Sequence, residues 1–502
     1  MADRPHVSRR FTAVLAVALF GIATGVLGYR VGVMHGASSA SQGDAAIVPV
    51  AQRSGSSARL PDVTVGNDGW IDVDAIIAAA SSTQPRVIDR ALAAIEDDWR
   101  DGYAPILIEL ARFTPSQSLR DRVIAPVARR FGTTPADRLD KHWRAVWARE
   151  FQPHPDYAEF KATLYRRLDP SFERYFDDSP THTIRLDEIR WGGVRRDGIP
   201  PLVDPEMVSA SDAAAGYLDD DNVVFGVVID GDARAYPKRI LAWHEMFRDT
   251  IGGRRIAGVY CTLCGTVIAY DATHDGKTYE LGTSGFLYRS NKLMYDPDTF
   301  SMWSTFGGTP VVGPLVGRGI ELDIHPVVTT TWGQWKADHP DTRVMTLSTG
   351  HRRDYAEGAA YRAYFATDEL MFGVPAAADD DRLLNKAEVF VLRNGGLGVE
   401  PLAIAADTLA AEPVFTVRHA GQDVVVLTDA SGANRAYASD ELTITTYDPV
   451  SRTATDAAGR IWAVTEDALV AIDGQESRDR LPAHRAFWFG FHAAFPDAEL
   501  ID

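Results

Sequence analysis

The chain has 502 residues, of which 45% are hydrophobic and 24% charged, and this composition is typical of a folded protein with two or three domains. The formal net charge of −18 argues against nucleic-acid binding, because phosphate contacts need clustered lysine and arginine. The sequence also lacks a P-loop, a dinucleotide-binding fingerprint and an H-E-x-x-H motif, so it gives no sign of the common nucleotide or zinc-peptidase sites.

The first predicted element is a membrane anchor or signal within residues 1–34. Residues 11–28 carry no charge and follow several arginines, which is the pattern of a membrane-spanning helix whose arginines stay in the cytoplasm. We therefore expect a single-pass protein of the cell (inner) membrane, with the bulk of the chain on the periplasmic or extracellular side. Secretion after signal cleavage near residues 38–40 is the alternative. Residues 35–67, rich in Ser, Gly and Ala, are predicted to be a flexible linker.

Residues 68–180 are predicted to form a helical domain. Apolar residues recur there at helical spacing, as in the stripe that contains Val87, Ala91 and Ile95. Prolines stand near the predicted helix starts, where a missing backbone N–H is tolerated. Helices of this length with short breaks between them indicate a small array of HEAT type. No motif in this part of the sequence carries chemistry.

After residue 184 the pattern changes to short strands separated by glycines. The apolar run at 223–229 predicts a buried strand, and the turn Asp230-Gly231-Asp232 that follows predicts a hairpin. Helices first and strands afterwards predict an α+β fold for the whole chain.

The β-rich region is predicted to contain a degenerate internal duplication. The motif Tyr-Asp-Pro occurs at residues 295–297 and again at 447–449, and aromatic residues further along each half repeat at the same spacing. We place the first copy at residues 184–372 and the second copy at 385–502. Because the second copy has no cysteine, we expect the chemistry in the first.

The only two cysteines of the chain, Cys261 and Cys264, lie in a C-x-x-C turn between two strand-like apolar runs. Two thiols on one tight turn can close a small disulfide, bind a metal as thiolates, or cycle between thiol and disulfide. The predicted location outside the cytoplasm permits oxidation. The residues leave all three chemistries open.

His244 is the leading candidate for a third group at the thiols, because it lies 17 residues before Cys261 and just ahead of the strand that leads there. Two cysteines and a histidine outside the cytoplasm would favour a zinc or copper ion. A lone histidine more often has a structural role, so a disulfide without metal is the alternative. Redox work would need a lowered thiol pKa, usually supplied by a helix N-terminus, whereas a strand-like run follows Cys264.

A dense run of polar residues follows the cysteine turn and is predicted to line a ligand pocket together with three acidic residues. Hydroxyl, amide and guanidinium groups after a glycine are suited to hold an anion or another polar ligand. The residues of this predicted pocket are Glu245, Asp271, Thr283, Ser284, Tyr288, Arg289, Ser290, Asn291 and Asp296. Ser284 lacks the G-x-S-x-G setting of a hydrolase nucleophile, so we assign it no catalytic role.

Several long sequence blocks stand out in the β-rich region. They include YCTLCGTVIAYD (260–271), LGTSGFLYRSNKLMYDPDT (281–299), TTTWGQWKADHPDT (329–342) and RAFWFGFHAAFPD (485–497). With these blocks, residues 184–502 resemble the bacterial and archaeal domain-of-unknown-function family 3179, in which a Y-C-x-L-C-G signature is typical and an N-terminal helical array is a common companion. The resemblance implies no activity, because the family is named for lacking one.

Two hypotheses of different class follow. In the first, a membrane-anchored extracytoplasmic protein uses the Cys261/Cys264 turn, with His244, to bind a transition metal or to do redox work. In the second, the protein is a non-enzymatic envelope binding or scaffold module in which the cysteines form a structural disulfide. The sequence predicts neither a substrate nor an envelope partner, and it leaves open whether the protein is an enzyme.

Overall fold

The computed structural model describes residues 65–502 apart from 67, 83, 178–179, 376–379 and 396–397. Within these residues no helix is both long and apolar enough to cross a membrane. The predicted anchor at residues 1–34 and nearly all of the predicted linker lie outside the described residues, so both stay predictions.

The first part of the described chain is helical and ends at a short 3₁₀ helix, Pro170–Tyr175. Its helices are α1 (Val73–Ala80), α2 (Pro85–Asp97), α3 (Tyr103–Arg112), α4 (Gln117–Phe131), α5 (Leu139–Trp147) and α6 (Tyr157–Tyr165). Asp72 and Ser116 accept hydrogen bonds from the first turns of α1 and α4, and Gly132 ends α4 in the left-handed conformation. The predicted stripes therefore face a common core, since Ile95, Ile106 and Val127 are all buried.

The helical part is joined to the β-rich part by buried polar contacts. Lys161 Nζ donates to Glu109 Oε1 at 3.0 Å and to the carbonyl of Ile189 at 2.8 Å. Arg112 donates to the carbonyl of Trp191 at 2.8 Å. The apolar core also continues from the helices to Phe286 in the β-rich part. The helices thus stand directly behind the first β-sheet.

The first half of the β-rich part contains three sheets of five strands. Their strand orders are β1-β11-β12-β13-β14, β15-β8-β7-β6-β2 and β16-β4-β5-β17-β3. The strands are β1 (Ile189–Trp191), β2 (Leu202–Val203), β3 (Met207–Ser209), β4 (Val223–Ile229), β5 (Asp232–Pro237), β6 (Met246–Ile251), β7 (Arg254–Cys261), β8 (Thr266–Asp271), β9 (Thr273–His274), β10 (Lys277–Thr278), β11 (Gly282–Tyr288), β12 (Asn291–Tyr295), β13 (Met302–Ser304), β14 (Pro310–Val312), β15 (Ile324–His325), β16 (Val328–Thr331) and β17 (Arg343–Met345). Short helices α7 (Lys238–His244), α8 (Trp332–Asp338) and α9 (Arg362–Phe365) connect them.

The second half contains sheets of four, three and five strands, ordered β28-β18-β19-β29, β20-β21-β22 and β23-β24-β25-β26-β27. The strands are β18 (Glu388–Leu392), β19 (Leu402–Ala405), β20 (Val414–His419), β21 (Gln422–Thr428), β22 (Asn434–Ala438), β23 (Ile444–Asp448), β24 (Thr453–Asp456), β25 (Ile461–Val464), β26 (Ala468–Ala471), β27 (Ser477–Asp479), β28 (Ala483–Phe487) and β29 (Leu500–Ile501). Two helices, α10 (Ala406–Ala411) and α11 (Trp488–Ala494), complete this half.

Helices lie mostly in the first part and strands in the rest, so the predicted α+β class is confirmed. The predicted hairpin also forms: β4 and β5 pair antiparallel across Asp230 and Gly231, whose φ angles of 48° and 80° suit a two-residue hairpin turn. Two sheets share one pairing pattern, because β16-β4-β5-β17 and β28-β18-β19-β29 both end in a parallel strand.

Candidate functional site

The two cysteines lie in a tight turn between β7 and β8. Cys261 is paired with Thr266 across the hairpin, and the backbone N–H of Cys264 donates to the carbonyl of Cys261 at 3.1 Å. Both side chains are free thiols, and they are only 3% and 0% exposed. The structural disulfide of the second hypothesis is therefore not formed in this structure.

The second half of the chain packs one side of the turn. The backbone N–H of Phe487 donates to the carbonyl of Cys264 at 2.7 Å. The Phe487 ring lies so close to Gly265 that an added Cβ would be 2.7 Å from it, and Gly265 has a φ of 58°. Glycine is thus required at this position for both space and backbone conformation. On α11, Gly490 lies against Cys264, where a Cβ would be 2.9 Å from the cysteine Cβ.

The opposite side of the turn is polar and is built around Lys292 and Glu245. Lys292, on β12, is buried, and its Nζ lies 3.2 Å from Glu245 Oε2. Glu245 ends α7 in the left-handed conformation with a φ of 56°. A left-handed residue is a common way to end a helix, although glycine usually occupies that position. Burial and the nearby Glu245 carboxylate both raise the pKa of Tyr361, so a phenol also faces this pair.

The surroundings push the pKa values of the two thiols apart. Burial alone would disfavour ionisation of Cys261, but hydrogen bonds from the Cys264 thiol and from the backbone amides of Lys292 and Cys264 lower its pKa. Burial and the neighbouring Cys261 raise the pKa of Cys264 well above its usual value. The single S–H of Cys264 has two alternative acceptors, the Cys261 sulfur and the Ser290 carbonyl oxygen, which lies 3.3 Å from the Cys264 sulfur. We therefore expect Cys261 to ionise before Cys264.

Lys292 is affected by the same environment. Burial lowers its pKa, while the carboxylate of Glu245 and the charge of Cys261 oppose that change. Ionisable groups with pKa values shifted by burial and by each other are typical of reactive sites, although structural ion pairs also produce such shifts. What distinguishes this cluster is that two of its members are thiols.

Residues 361–374, which we name the cover segment, lie over the thiol turn. The Tyr364 hydroxyl donates to the carbonyl of Leu263 at 2.8 Å, and Ser290 Oγ donates to the carbonyl of Gly373 at 3.3 Å. The crevice beneath the segment leaves no room for a water molecule. It is lined by Leu263, Ser290, Tyr364, Leu370, Met371, Phe372 and Phe489.

His244 is close to the thiol turn in sequence but its ring points elsewhere. Nδ1 donates to the carbonyl of Pro200 at 3.0 Å, so Nε2 accepts the hydrogen bond from the Tyr355 hydroxyl at 2.6 Å. Burial lowers the pKa of His244 to about 4. The left-handed turn at Glu245 explains the separation, because it sends the carboxylate towards Lys292 and leaves the imidazole on the side of Tyr355.

The predicted polar pocket is only partly brought together. Glu245, Ser290 and Asn291 reach the thiol turn: Glu245 pairs with Lys292, the Ser290 carbonyl faces the Cys264 thiol, and Asn291 Nδ2 donates to the carbonyl of Gly490 at 3.0 Å. The others make structural contacts: Thr283 with Ile199, Ser284 with Leu293, Tyr288 and Arg289 with Glu188, Asp271 with Thr273 and Arg254, and Asp296 with Thr299 and Trp303.

The residues for a metal site are not assembled in the described part of the chain. No group of three or more His, Cys, Asp and Glu side chains there is arranged to hold a metal ion. The charged groups that act on Cys261 include Lys292, a cation, which cannot serve as a metal ligand while it is protonated. The zinc or copper expectation therefore gains no support from this geometry.

Sequence reasoning missed Lys292, Tyr361 and Tyr364. For Lys292 a signal was present, since a lysine stands inside the apolar run of β12, and a buried charge needs a partner. The two tyrosines come from α9 and the residue before it, about a hundred residues further along, and no local pattern connects them to the turn.

Fold and site together define an α+β protein with a buried dithiol turn at the meeting point of its two β-rich halves. Residues 196–498, more than half of the chain, match the family described as "Protein of unknown function (DUF3179)", and the chain belongs to this family. No match was found among curated proteins or among solved structures.

Proposed function

We propose that this chain is a membrane-anchored extracytoplasmic protein whose Cys261 and Cys264 cycle between dithiol and disulfide. The observation that carries the proposal is the pair of free thiols on one turn, with a lowered pKa at Cys261 and a raised pKa at Cys264. Such an asymmetric pair divides the work between an attacking thiolate and a resolving thiol.

The geometry of the turn permits the disulfide. The hydrogen bond from the Cys264 amide to the Cys261 carbonyl makes residues 261–264 a β-turn, whose end Cα atoms lie within about 7 Å. A disulfide needs a Cα separation of roughly 4.4–6.8 Å. Each thiol also affects the pKa of the other, as neighbouring sulfurs do. Little backbone movement is therefore needed for the oxidised form.

The proposed reaction has two exchange steps. The Cys261 thiolate attacks one sulfur of a partner disulfide, so that a Cys261–partner bond forms and the partner S–S bond breaks. The released partner thiolate takes up a proton. Cys264 then loses its proton and attacks Cys261, which forms the Cys261–Cys264 disulfide and releases the second partner thiol. The partner gains two electrons and the protein loses them, and the reverse sequence oxidises a partner.

The burial of both sulfurs restricts the partner. A disulfide in another protein reaches Cys261 only after the cover segment moves away from Leu263 and Ser290. Side chains make the hydrogen bonds that join this segment to Leu263 and Ser290, and segments held in this way open at low free-energy cost. We therefore place partner access at the cover segment.

We also propose the finer features that the sequence predicted. The helices of the first part form a HEAT-like array, supported by the side-by-side packing of α3 on α4 and α5. Residues 260–265 are the family signature, supported by their place in the thiol turn. The two β-rich halves are a degenerate duplication, supported by the shared pairing pattern of two sheets. The membrane anchor is supported by the uncharged run at 11–28.

A thiol count tests the proposed function directly, because the chain has only two cysteines. The full chain is equilibrated natively with mixtures of reduced and oxidised glutathione, alkylated and weighed. We expect two modified thiols at the reducing end, none at the oxidising end, and a reversible transition between them. Thiols that oxidise only in urea would contradict the proposal. A disulfide that resists native reduction would instead favour the scaffold hypothesis.

Metal analysis distinguishes thiol exchange from the remaining alternative, a metal centre at the two cysteines. Protein prepared without chelators is compared with Cys261→Ser. We expect no stoichiometric metal in either protein. Metal that is stoichiometric in the parent protein and lost in the variant would favour a metal centre over thiol exchange.

A further inference from the structure

Three ionisable side chains share the buried polar side of the thiol turn, and only one of them is a cation. Lys292 Nζ lies 3.2 Å from Glu245 Oε2 and 3.4 Å from the carbonyl oxygen of Glu245. The same ammonium interacts with the charge of Cys261. Within the described part of the chain, Lys292 is the only cation at ion-pair distance from Glu245. Glu245 and the Cys261 thiolate therefore compete for one positive charge.

In the described part of the chain, the other ionisable groups that interact with this pair include two phenols, a thiol and a carboxylate. Tyr361 faces Glu245 from the cover segment, and Tyr260 and Cys264 lie near it from the hairpin. Asp197 acts on Lys292 from a loop and adds negative charge. The imidazole of His244 makes its hydrogen bonds elsewhere, with Pro200 and Tyr355.

The direction of the competition follows from the charges. Glu245 disfavours the thiolate of Cys261 by its own negative charge. It also holds the ammonium that would favour the thiolate. The thiolate then depends on weaker donors, namely the Cys264 thiol and two backbone amides. The backbone of Glu245, at a φ of 56°, is bent so that its carboxylate takes this position.

We propose that Glu245 is a positioning residue that restrains the reactivity of Cys261 by occupying Lys292. In the closed site Glu245 binds the ammonium and keeps Cys261 less reactive. When that hold is loosened, the ammonium is free to pair with the thiolate and the attacking form is favoured. This role rests on the proposed thiol chemistry. It is measured, however, by the alkylation of Cys261, a reaction that needs no disulfide.

The contact with Tyr361 connects this restraint to access. Tyr361 belongs to the cover segment, and its hydroxyl lies against the carboxylate of Glu245. Displacement of the segment by a partner would expose the Glu245–Lys292 pair to water, which weakens a buried ion pair. The thiol would thus become reactive at the moment when a partner can reach it.

The test measures the rate of Cys261 alkylation by iodoacetamide against pH in full-length Cys264→Ala, which has a single thiol. Glu245→Gln should speed alkylation at pH 7 by about tenfold, because an ion-pair change shifts a thiol pKa by roughly one unit. Lys292→Gln should slow it by about tenfold, and Lys292→Arg should restore the rate to within about threefold.

Lys161→Gln is the matched control, because it removes a lysine from another buried Lys–Glu pair, with Glu109 at 3.0 Å in the helical part. It should lower stability without moving the alkylation midpoint. Rates that change in the same direction for Glu245→Gln and Lys292→Gln, or by no more than in the control, would overturn the inference. If Glu245→Gln does not fold, the contrast between Lys292→Arg and Lys292→Gln decides. A wild-type protein that forms no reversible disulfide would refute the redox function, but it would not contradict the proposed effect of Glu245 and Lys292 on the reactivity of Cys261.

Discussion

Two hairpin turns of the β-rich part each lie beside a cluster of buried polar side chains, and the two clusters differ in their balance of charge. At the β7–β8 turn the cluster holds two thiols with Lys292 and Glu245. At the β21–β22 turn it holds Arg435, which pairs with Asp429 and with Glu466, each at 2.8 Å. The β7–β8 cluster has one cation for three groups that can become anions, namely Cys261, Cys264 and Glu245, whereas Arg435 is surrounded by carboxylates.

The difference shows which cluster is built for stability. Burial opposes the charge of Arg435, but the neighbouring carboxylates raise the pKa of this arginine well above its usual value. Burial likewise opposes the charge of Glu466, but Arg435, His339 and other arginines lower its pKa well below the usual value. Each partner is thus held in its charged form. At the thiol turn burial lowers the pKa of Lys292 and hydrogen bonds lower the pKa of Cys261, so neither group is held as firmly in its protonated form as it would be in water. The charged cluster fixes structure, and the thiol cluster can react.

The strongest test of this contrast removes the centre of the charged cluster. Arg435→Met should lower the free energy of unfolding by about 3–5 kcal/mol, because it leaves the buried carboxylate of Asp429 without its arginine and takes one of three arginines from Glu466. Urea unfolding measures the loss. The alkylation rate of the native thiols should stay unchanged. Arg418→Ala, which breaks an exposed pair with Asp423, is the control and should cost less than about 1 kcal/mol. Equal losses in the two variants would break the comparison.

The same cluster predicts the response to acid. The pKa of Glu466 is lower in the folded than in the unfolded protein, so its stabilisation is present above the unfolded value of about 4.5 and is lost as the pH falls towards the folded value. Unfolding free energy should therefore decrease between pH 5 and pH 3. In Arg435→Met this decrease should be smaller. A flat profile in the wild-type protein would show that Glu466 is not held as described.

Two glycines, one in each half of the β-rich part, test the effect of packing without changing any charge. Gly490→Ala places a methyl group against Cys264 and should cost about 1–3 kcal/mol, as overpacking of a core does. It should also raise the alkylation rate of Cys264. Gly333→Ala, in α8, is the matched control because its methyl group meets Asp220 instead of a thiol. Both variants are followed by urea unfolding and by mass after alkylation, and faster alkylation in both would contradict the account.

The smallest predicted effect concerns the cover segment. Tyr364→Phe removes the hydroxyl that donates to the carbonyl of Leu263 and should cost about 1 kcal/mol. Native alkylation should become faster by a small factor, since the segment opens more often. Tyr355→Phe removes a hydroxyl bound to His244 and Thr349 instead, and it should leave the thiols as protected as before. A rate unaffected by Tyr364→Phe would show that access lies elsewhere.

Local patterns in the sequence were enough for the fold class and for the position of the thiol turn. The apolar runs around Cys261 and Cys264 predict the strands that became β7 and β8, and the helical stripe at residues 87–95 lies within α2. The turn at Asp230 is confirmed as well. These elements depend on periodicity and turn chemistry, which act over a few residues.

The composition of the site was harder to predict, because it depends on contacts between distant parts of the chain. Phe487 and the tyrosine at 364 come from segments at least 100 residues away from the turn. His244 was the leading candidate because of its closeness in sequence. The left-handed backbone of Glu245 turns the imidazole away, and no propensity argument predicts a positive φ at a glutamate.

The most direct test of the central claim is the order of reaction of the two cysteines. Native Cys264→Ser and Cys261→Ser are each treated with oxidised glutathione at neutral pH and weighed intact. The account predicts that Cys264→Ser rapidly forms a stable mixed disulfide at Cys261, that Cys261→Ser reacts far more slowly, and that the wild-type protein ends as a disulfide without bound glutathione. Equal rates, the reverse order, or reaction only after unfolding would contradict the assignment of Cys261 as the attacking thiolate.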